Sequence, residues 1–230
     1  MMLLSAPGVY TPQDDTWLLA EALHREPITA GTTVLDVGTG SGALALEAAR
    51  CGAAQVTAVD ISARAVASAR LHARLNGLRV RVVRGHLLTP VADRRFDLII
   101  ANPPYVPSAE RRSGGSGRRG RLGRSGCSGR ALAWDAGADG RALLDQICAD
   151  GPPRLRPGGV LLLVHSALCG VDRTLARLER AGLAAAVTDR RLIPFGPVLR
   201  ERAGWLESRG LIEPGEEKEE LVVIRAERPW

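Results

Sequence analysis

Four consecutive residues, Asn102-Pro103-Pro104-Tyr105, have the chemistry to hold a planar amine. Two successive prolines force an extended and stiff backbone, so the carbonyl of Pro103 cannot enter a helix and points outward. The side-chain oxygen of Asn102 lies beside it, and these two acceptors can grip both hydrogens of one NH2 group. Tyr105 could cover the flat group by stacking. The motif therefore predicts a binding site for an amide or for the exocyclic amine of a nucleobase.

A glycine-rich turn with the sequence DVGTGSG, residues 36–42, predicts a second binding element. Gly38 and Gly40 let the backbone approach a ligand closely, and Asp60 at the end of the next strand can accept both hydroxyls of a ribose. Enzymes that bind NAD use the same two elements, but with GxGxxG spacing. Asp36 would repel a pyrophosphate, whereas its charge suits a cationic sulfonium or an ammonium group.

The elements that position these residues alternate between strand and helix. The patterns predict strands over 33–37, 55–60, 79–84, 96–101, 160–165, 183–189 and 221–225, and helices over 14–24, 43–50, 62–75, 140–149 and 171–181. This order predicts an α/β, Rossmann-like fold with helices on both faces of a seven-stranded, mostly parallel sheet. No periodic helix separates the last two predicted strands, so we expect the final strand to be antiparallel.

Residues 1–230 are predicted to form a single domain, within which two segments fall outside the alternation. Residues 111–130 contain seven glycines and seven arginines, and such a segment cannot bury enough apolar surface to pack. We expect a flexible loop there. Residues 192–220 are predicted to form an insertion before the last strand, with a short helix over 201–208.

Composition limits the cellular locations and the binding partners that are expected for the chain. Its four cysteines, Cys51, Cys127, Cys148 and Cys169, lie far apart, which argues against a metal site or a disulfide framework and favours the cytoplasm. No apolar stretch is long enough to span a membrane. The net charge of +6 is almost entirely arginine, because Lys218 is the only lysine. An RNA or ribosome contact and a simple genomic codon bias both explain that excess.

Taken together, the motifs resemble the HemK-type glutamine methyltransferases of release factors, in the short form that lacks a separate N-terminal domain. NPPY with DVGTGSG is similar to class I methyltransferases that modify amide or nucleobase amines. VYTPQDDT over 9–16 is similar to the VYEPAEDT opening of this branch, and AWDAGADGR over 133–141 is similar to its AW-GG-DGR segment. The resemblance extends from about Val9 to Glu227, with only the two unusual segments outside it.

The resemblance implies that S-adenosylmethionine is the cofactor and that Asn102, Pro103 and Tyr105 hold the amine that accepts the methyl group. The residues expected to contact the cofactor are Thr16, Asp36, Gly38, Gly40, Asp60, Ile61, His86, Leu87 and Asn102. One of these positions departs from the family, which usually has an Asp after the third strand to meet the adenine amine. His86 cannot supply that carboxylate, so either a neighbouring backbone group replaces it or the affinity for the cofactor is reduced.

The resemblance also implies a protein substrate, a release factor, and eukaryotic short-form relatives work with a small zinc-containing partner. Two alternatives stay open at the level of sequence. A nucleic-acid methyltransferase would use NPPY on a nucleobase, and the arginine-rich segment 111–130 would then contact RNA. A non-catalytic, methyltransferase-like binding module would explain His86, although the intact NPPY motif speaks against it.

Overall fold

The computed structural model describes residues 2–4, 6–107 and 136–230, in which strands and helices alternate along the chain. The strands are β1 (Thr33–Val37), β2 (Gln55–Asp60), β3 (Val80–Arg84), β4 (Phe96–Ala101), β5 (Leu155–Ser166), β6 (Ala184–Pro194) and β7 (Lys218–Glu227). The α-helices are α1 (Asp14–Leu23), α2 (Ala43–Arg50), α3 (Ala63–Leu75), α4 (Ala142–Asp150), α5 (Val171–Arg180) and α6 (Pro197–Ser208). Short 3-10 turns cover Thr89–Val91, Pro152–Arg154 and Ala167–Cys169.

All seven strands form one sheet in the order β3-β2-β1-β4-β5-β7-β6. Four neighbouring pairs of strands are parallel, and β7 runs antiparallel to both β5 and β6. The chain moves outward from β1 to β3 in one direction and from β4 to β5 in the other. Right-handed crossovers therefore place the helices of the two halves on opposite faces. This arrangement confirms the predicted fold and its antiparallel last strand.

The centre of the sheet is the most deeply buried part of the described chain. Val34, Leu35 and Val37 of β1 and Ile99 and Ile100 of β4 have no exposed surface. Strands that helices cover on both sides read as continuous apolar runs, which is why β4 was recognisable from sequence. The residues that follow these two strands therefore start from a rigid base.

Four elements extend beyond their predicted bounds, and one of them is β7, which covers Lys218–Glu227 rather than 221–225. β5 begins at Leu155 rather than at residue 160, and β6 continues five residues past Asp189 to Pro194. β6 is an edge strand whose residues alternate between exposed and half-buried, and its middle residues 188–191 are polar, so no continuous apolar run marks its length. The helix predicted over 201–208 begins at Pro197, so a helix does separate β6 from β7.

Part of the predicted organisation concerns residues that the structure does not describe. The glycine- and arginine-rich segment 111–130, including Cys127, lies outside the described residues, so its predicted flexibility stays a prediction. Within the described ranges, none of the helices is long and apolar enough to cross a membrane.

Candidate active site

The predicted site residues converge at one edge of the sheet, at the carboxyl ends of its parallel strands. The turn after β1, the end of β2, the turn after β3 and the segment after β4 all meet there. The strand order reverses between β1 and β4, and open α/β sheets bind ligands outside the strand ends at such a reversal. Residues that are far apart in sequence therefore share one crevice.

Asp60 holds the glycine-rich turn in place. One carboxylate oxygen accepts a hydrogen bond from the Gly40 backbone N–H at 2.9 Å, and the other accepts one from the Ser62 N–H at 2.8 Å. The N–H groups of Gly38 and Thr39 both donate to the carbonyl of Val59. Burial raises the pKa of Asp60, although these backbone hydrogen bonds oppose the shift. Each oxygen keeps lone-pair capacity for a hydroxyl of a ribose.

Asp36 is a buried carboxylate with one unused oxygen. Its Oδ2 accepts hydrogen bonds from Thr39 Oγ1 at 2.6 Å and from the Ala45 N–H at 3.1 Å. Its Oδ1 is buried and has no hydrogen-bond partner among the described residues. Burial raises the pKa of Asp36 to about 7, against the effect of those two hydrogen bonds. An unpartnered buried carboxylate oxygen is costly, and it fits a site that receives a cation.

The turn around Gly38 leaves room for a ligand. Gly38 has φ +74°, and a Cβ at this position would meet nothing within 4 Å. Gly40 has φ +55° and faces the side chain of Tyr10, so the VYTP segment covers the turn from the other side. Open space beside Gly38, the free oxygen of Asp36 and the carboxylate of Asp60 together fit a cationic nucleoside such as S-adenosylmethionine.

The turn after β3 contains the position where the sequence departs from the family pattern. The N–H of Gly85 donates to the carbonyl of Asp60 at 2.9 Å, which places the turn beside the predicted ribose site. His86 and Ile61 are both half-buried near it. Leu87 has φ +43° and is the only non-glycine with positive φ in the described part of the chain. Such backbone strain tends to occur at ligand sites.

Asn102 is oriented by the first helix. Its Nδ2 donates to Thr16 Oγ1 at 3.3 Å, and the Thr16 hydroxyl donates in turn to Asp15 Oδ1 at 3.1 Å. Because the amide nitrogen is engaged, the Oδ1 of Asn102 is the atom left for a ligand. Across residues 2–4, 6–107 and 136–230, no donor bonds the carbonyl of Pro103 either. The two acceptors predicted from the NPPY sequence are therefore both available.

Replacing Thr16 with valine should lower kcat about fivefold and leave the fold intact. Valine keeps the shape of threonine but removes the hydroxyl that fixes the amide of Asn102, and one such hydrogen bond is worth about 1 kcal/mol. We expect Thr16→Ser, which keeps the hydroxyl, to restore most of the activity. Steady-state kinetics with separate kcat and KM check this, and equal activity of the valine and serine variants would contradict it.

Tyr105 belongs to a buried cluster that the sequence motifs did not reveal as a unit. Its hydroxyl donates to Asp15 Oδ2 at 3.2 Å, and the hydroxyl of Tyr10 donates to the same carboxylate at 2.7 Å. Glu219, at the start of β7, faces these groups and has a buried Oε2 without a hydrogen-bond partner in the described residues. Burial raises the pKa of Glu219 to about 7. The ring of Tyr105 is only 8% exposed, so its stacking role stays a prediction.

Asp15 and Tyr10 could have been identified from the VYTPQDDT motif, which contains both. No local signal marked Glu219, because it lies about 200 residues further along the chain. Only the pairing of β7 with β5 brings it to the edge of the sheet that holds the site.

The DGR segment, residues 139–141, packs against the NPPY segment. Arg141 is 1% exposed and donates to the carbonyls of Cys169 and Gly170 and to Thr174 Oγ1. Gly140 packs directly under Tyr105, since a Cβ on Gly140 would lie 2.1 Å from the carbonyl oxygen of Tyr105. The resemblance at this segment thus has a structural reason: a larger residue at position 140 would displace the backbone of the NPPY segment.

We expect Gly140→Ala to destabilise the protein by about 1–3 kcal/mol more than Gly182→Ala, the usual range for overpacking. Both glycines have positive φ, +72° and +84°, so both substitutions carry the same backbone strain. Gly182 has nothing within 4 Å of an added Cβ, so it isolates the steric term. Urea unfolding measures the difference, and methyl transfer should fall only in Gly140→Ala. Equal stability of the two variants would show that the NPPY backbone can move away from the added Cβ without a measurable cost in the free energy of unfolding.

Comparison with known proteins places the chain among methyltransferases. The family model described as the Methyltransferase small domain matches residues 1–113. A relative from Methanocaldococcus jannaschii that carries the name protein N5-glutamine methyltransferase as a provisional assignment is 31% identical, over 82% of this chain and 88% of its own length. The release factor glutamine methyltransferase of Geobacter sulfurreducens is 36% identical over 79% of this chain, which spans 61% of that relative.

A solved structure shares the fold. The two-protein complex of E. cuniculi that is responsible for methylation of the eRF1 translation termination factor contains a chain that matches with a TM-score of 0.64. The two chains are 24% identical, and the match covers 96% of this chain and 99% of that chain. At this identity the likeness concerns the fold alone.

Proposed function

Since the chain belongs to the family of protein N5-glutamine methyltransferases, we propose that it methylates the side-chain amide nitrogen of a glutamine in a peptide chain release factor. The observation that carries the proposal is the pair of free acceptors on Asn102 and Pro103. They lie at the strand ends where the sheet order reverses, and the contact of the amide nitrogen with Thr16 leaves the oxygen of Asn102 to accept from a ligand.

S-adenosylmethionine supplies an electrophilic methyl group on a sulfonium when it is bound. We propose that Asp36, Gly38, Gly40 and Asp60 hold this cofactor, with the charge of Asp36 offsetting its positive charge and Asp60 accepting from its ribose. Ile61, His86 and Leu87 would line the adenine end, where no carboxylate replaces the usual Asp. The match between unpartnered acceptors and a cationic ligand supports this assignment.

The residues of the chain mainly position the reacting nitrogen. An amide nitrogen is a weak nucleophile because its lone pair is delocalised into the carbonyl. Hydrogen bonds from its two N–H groups to Asn102 Oδ1 and the Pro103 carbonyl would raise the electron density on nitrogen and stabilise the positive charge that develops there. Holding the two reactants in line supplies much of the remaining acceleration. One proton leaves the nitrogen after transfer.

The negative charge around the site supports the same assignment. Asp15 and Glu219 are both buried beside Tyr105, and beside the glycine-rich turn Asp36 is buried and Asp60 is half-buried. Such a field favours a reaction in which positive charge passes from one bound group to another. It disfavours a phosphate-bearing nucleotide cofactor such as NAD.

The proposal can be tested with labelled S-adenosylmethionine and the full chain. A GGQ-containing release factor, total RNA and duplex DNA are offered in parallel, each with and without a small zinc-containing partner protein. We expect label on the release factor at the glutamine, and none with Asn102→Ala. The chain has only one other asparagine, Asn76, whose side chain donates to the carbonyls of Met2 and His72 and not to the NPPY segment, so Asn76→Ala is the matched control. Label on nucleic acid alone would overturn the proposal.

A further inference from the structure

One long stretch of the chain carries positive charge without any negative charge. Residues 61–92 contain six arginines and no aspartate or glutamate, although the whole chain has 25 acidic residues. The stretch includes α3, β3 and the turns that follow them. Most of its arginines take no part in the active site, because they lie on the outer side of α3 and at the start of the edge strand β3.

Five arginines line one groove of about 650 Å³ between α3, β2 and β3, and none of the described acidic residues lines it. They are Arg70, Arg74, Arg79, Arg81 and Arg94. The strand residues in the groove are the first three of β2 and the first three of β3. The candidate active site is at the opposite ends of these parallel strands, so the groove is a separate surface.

Elsewhere in the described part of the chain, eight arginines form ion pairs with carboxylates. In contrast, none of the groove arginines has an ion pair with a described residue. Arg70 donates to the carbonyl of Val82 at 2.8 Å, and Arg94 donates to Thr57 Oγ1 at 3.0 Å and lies over the ring of Phe96. These contacts fix two guanidinium groups in the groove without neutralising them.

The arginines are spaced to meet a chain of charges. Arg70 and Arg74 are four residues apart on α3 and share one helix face, about 6 Å apart. Arg79 directly precedes β3 and Arg81 is its second residue, so extended backbone places these two exposed residues about 7 Å apart. A single small anion can reach two or three of these groups. A polymer with one negative charge per unit can meet all five.

We infer that this groove binds the phosphate backbone of single-stranded RNA, independently of methyl transfer. A guanidinium fork suits phosphate oxygens, and unpaired arginine charge is what releases counterions when a nucleic acid binds. The bound RNA would lie at the amino ends of the strands, away from Asn102. The groove would therefore hold the enzyme on an RNA-containing assembly while the other edge of the sheet acts on a different molecule.

The test is a salt titration with a fluorescently labelled single-stranded RNA of mixed sequence and the full chain. Five phosphate contacts predict a loss of affinity of about 100-fold between 50 and 200 mM salt, because each contributes about 0.7 to the slope of log K against log salt. Removing three arginines with Arg74→Ala, Arg79→Ala and Arg81→Ala should reduce that loss to about sevenfold. Affinity at 50 mM salt should fall as well. Methylation of the protein substrate should not change, since none of the three lies in the candidate active site.

The matched control removes three arginines from the other arginine-rich stretch of the sequence, with Arg118→Ala, Arg119→Ala and Arg121→Ala. We expect this variant to keep most of the RNA affinity and the steep salt dependence. Loss of RNA binding in the control and not in the groove variant would overturn the inference. So would preferential binding of an acidic peptide over RNA, or transfer of labelled methyl to the RNA that depends on Asn102, since the RNA would then lie in the catalytic crevice.

Discussion

Asn102→Ala should lower the rate of methyl transfer by about 100- to 1,000-fold, the usual effect of removing one group that stabilises charge in a transition state. The substitution removes the Oδ1 acceptor while the carbonyl of Pro103 remains. It also leaves the Thr16 hydroxyl without the donor that contacts it at 3.3 Å. The measurement is kcat with a release-factor substrate, with Asn76→Ala as the control.

Asn102→Asp separates the two roles of the side chain. Aspartate keeps an acceptor oxygen but cannot donate to Thr16, so the acceptor loses its fixed orientation. We expect an intermediate rate, between those of Asn102→Ala and the unmodified protein. If Asn102→Ala retained a tenth or more of the normal kcat, the assignment of the amine site to the NPPY segment would be wrong.

Asp36→Asn should weaken S-adenosylmethionine binding by about 10- to 100-fold at pH 8, the range for losing a hydrogen bond to a charged group. Burial raises the pKa of Asp36 to about 7, so the carboxylate is fully charged only above that pH. Cofactor affinity of the unmodified protein should therefore rise between pH 6 and pH 8, and that rise should vanish in Asp36→Asn. Calorimetric titration over this range checks both effects.

The same substitution should have the opposite effect on stability. A folded-state pKa of about 7, above the usual value of 3.8, means that stability falls as the pH rises between these two values. Asparagine does not titrate, so its stability relative to the unmodified protein should improve by about 2–3 kcal/mol between pH 5 and pH 8, at about 1.4 kcal/mol per pKa unit. Urea unfolding without cofactor at both pH values measures this change.

Asp97→Asn is a control for which we expect a change in stability at pH 8 of the opposite sign. Burial opposes the charge of Asp97, but hydrogen bonds from Thr33 and Arg156 outweigh it and lower its pKa. A carboxylate with a lowered pKa stabilises the folded state at neutral pH, and that stability is lost as the pH falls through the folded pKa. Asp97→Asn should thus destabilise the protein at pH 8.

A pH-independent difference in stability between Asp36→Asn and the unmodified protein would show that Asp36 stays ionised throughout this pH range.

Binding of S-adenosylhomocysteine distinguishes which positive group Asp36 meets. This product has the same ammonium group but lacks the sulfonium charge. Equal loss of affinity for both molecules in Asp36→Asn would place the ammonium beside Asp36. A larger loss for S-adenosylmethionine would place the sulfonium there. No loss for either molecule would remove Asp36 from the cofactor site.

The sequence alone determined the class of fold and the chemistry of the NPPY segment. Strand and helix periodicities depend on local residue order, and residues 98–101 of β4 form a continuous apolar run because helices cover both faces of the strand. The conformations of Pro103 and Pro104 are likewise set by their own rings. The length of β6 escaped the sequence because an edge strand needs no apolar run, only backbone pairing with β7.

Only the tertiary structure decided which polar atoms are left without a hydrogen-bond partner in the described part of the chain. Thr16 orients Asn102 across 86 residues, and Glu219 reaches the site through the antiparallel β7. Whether Asp36 has an unused oxygen depends on which N–H and O–H groups surround it, and residue order does not specify those distances. The same holds for the five groove arginines that have no ion pair with a described residue. They line a common groove only because α3 packs against β3 and no described carboxylate lies between them. The residue types in a sequence determine which chemical groups are available. Tertiary packing determines which of these groups are hydrogen-bonded and which charges lie close together.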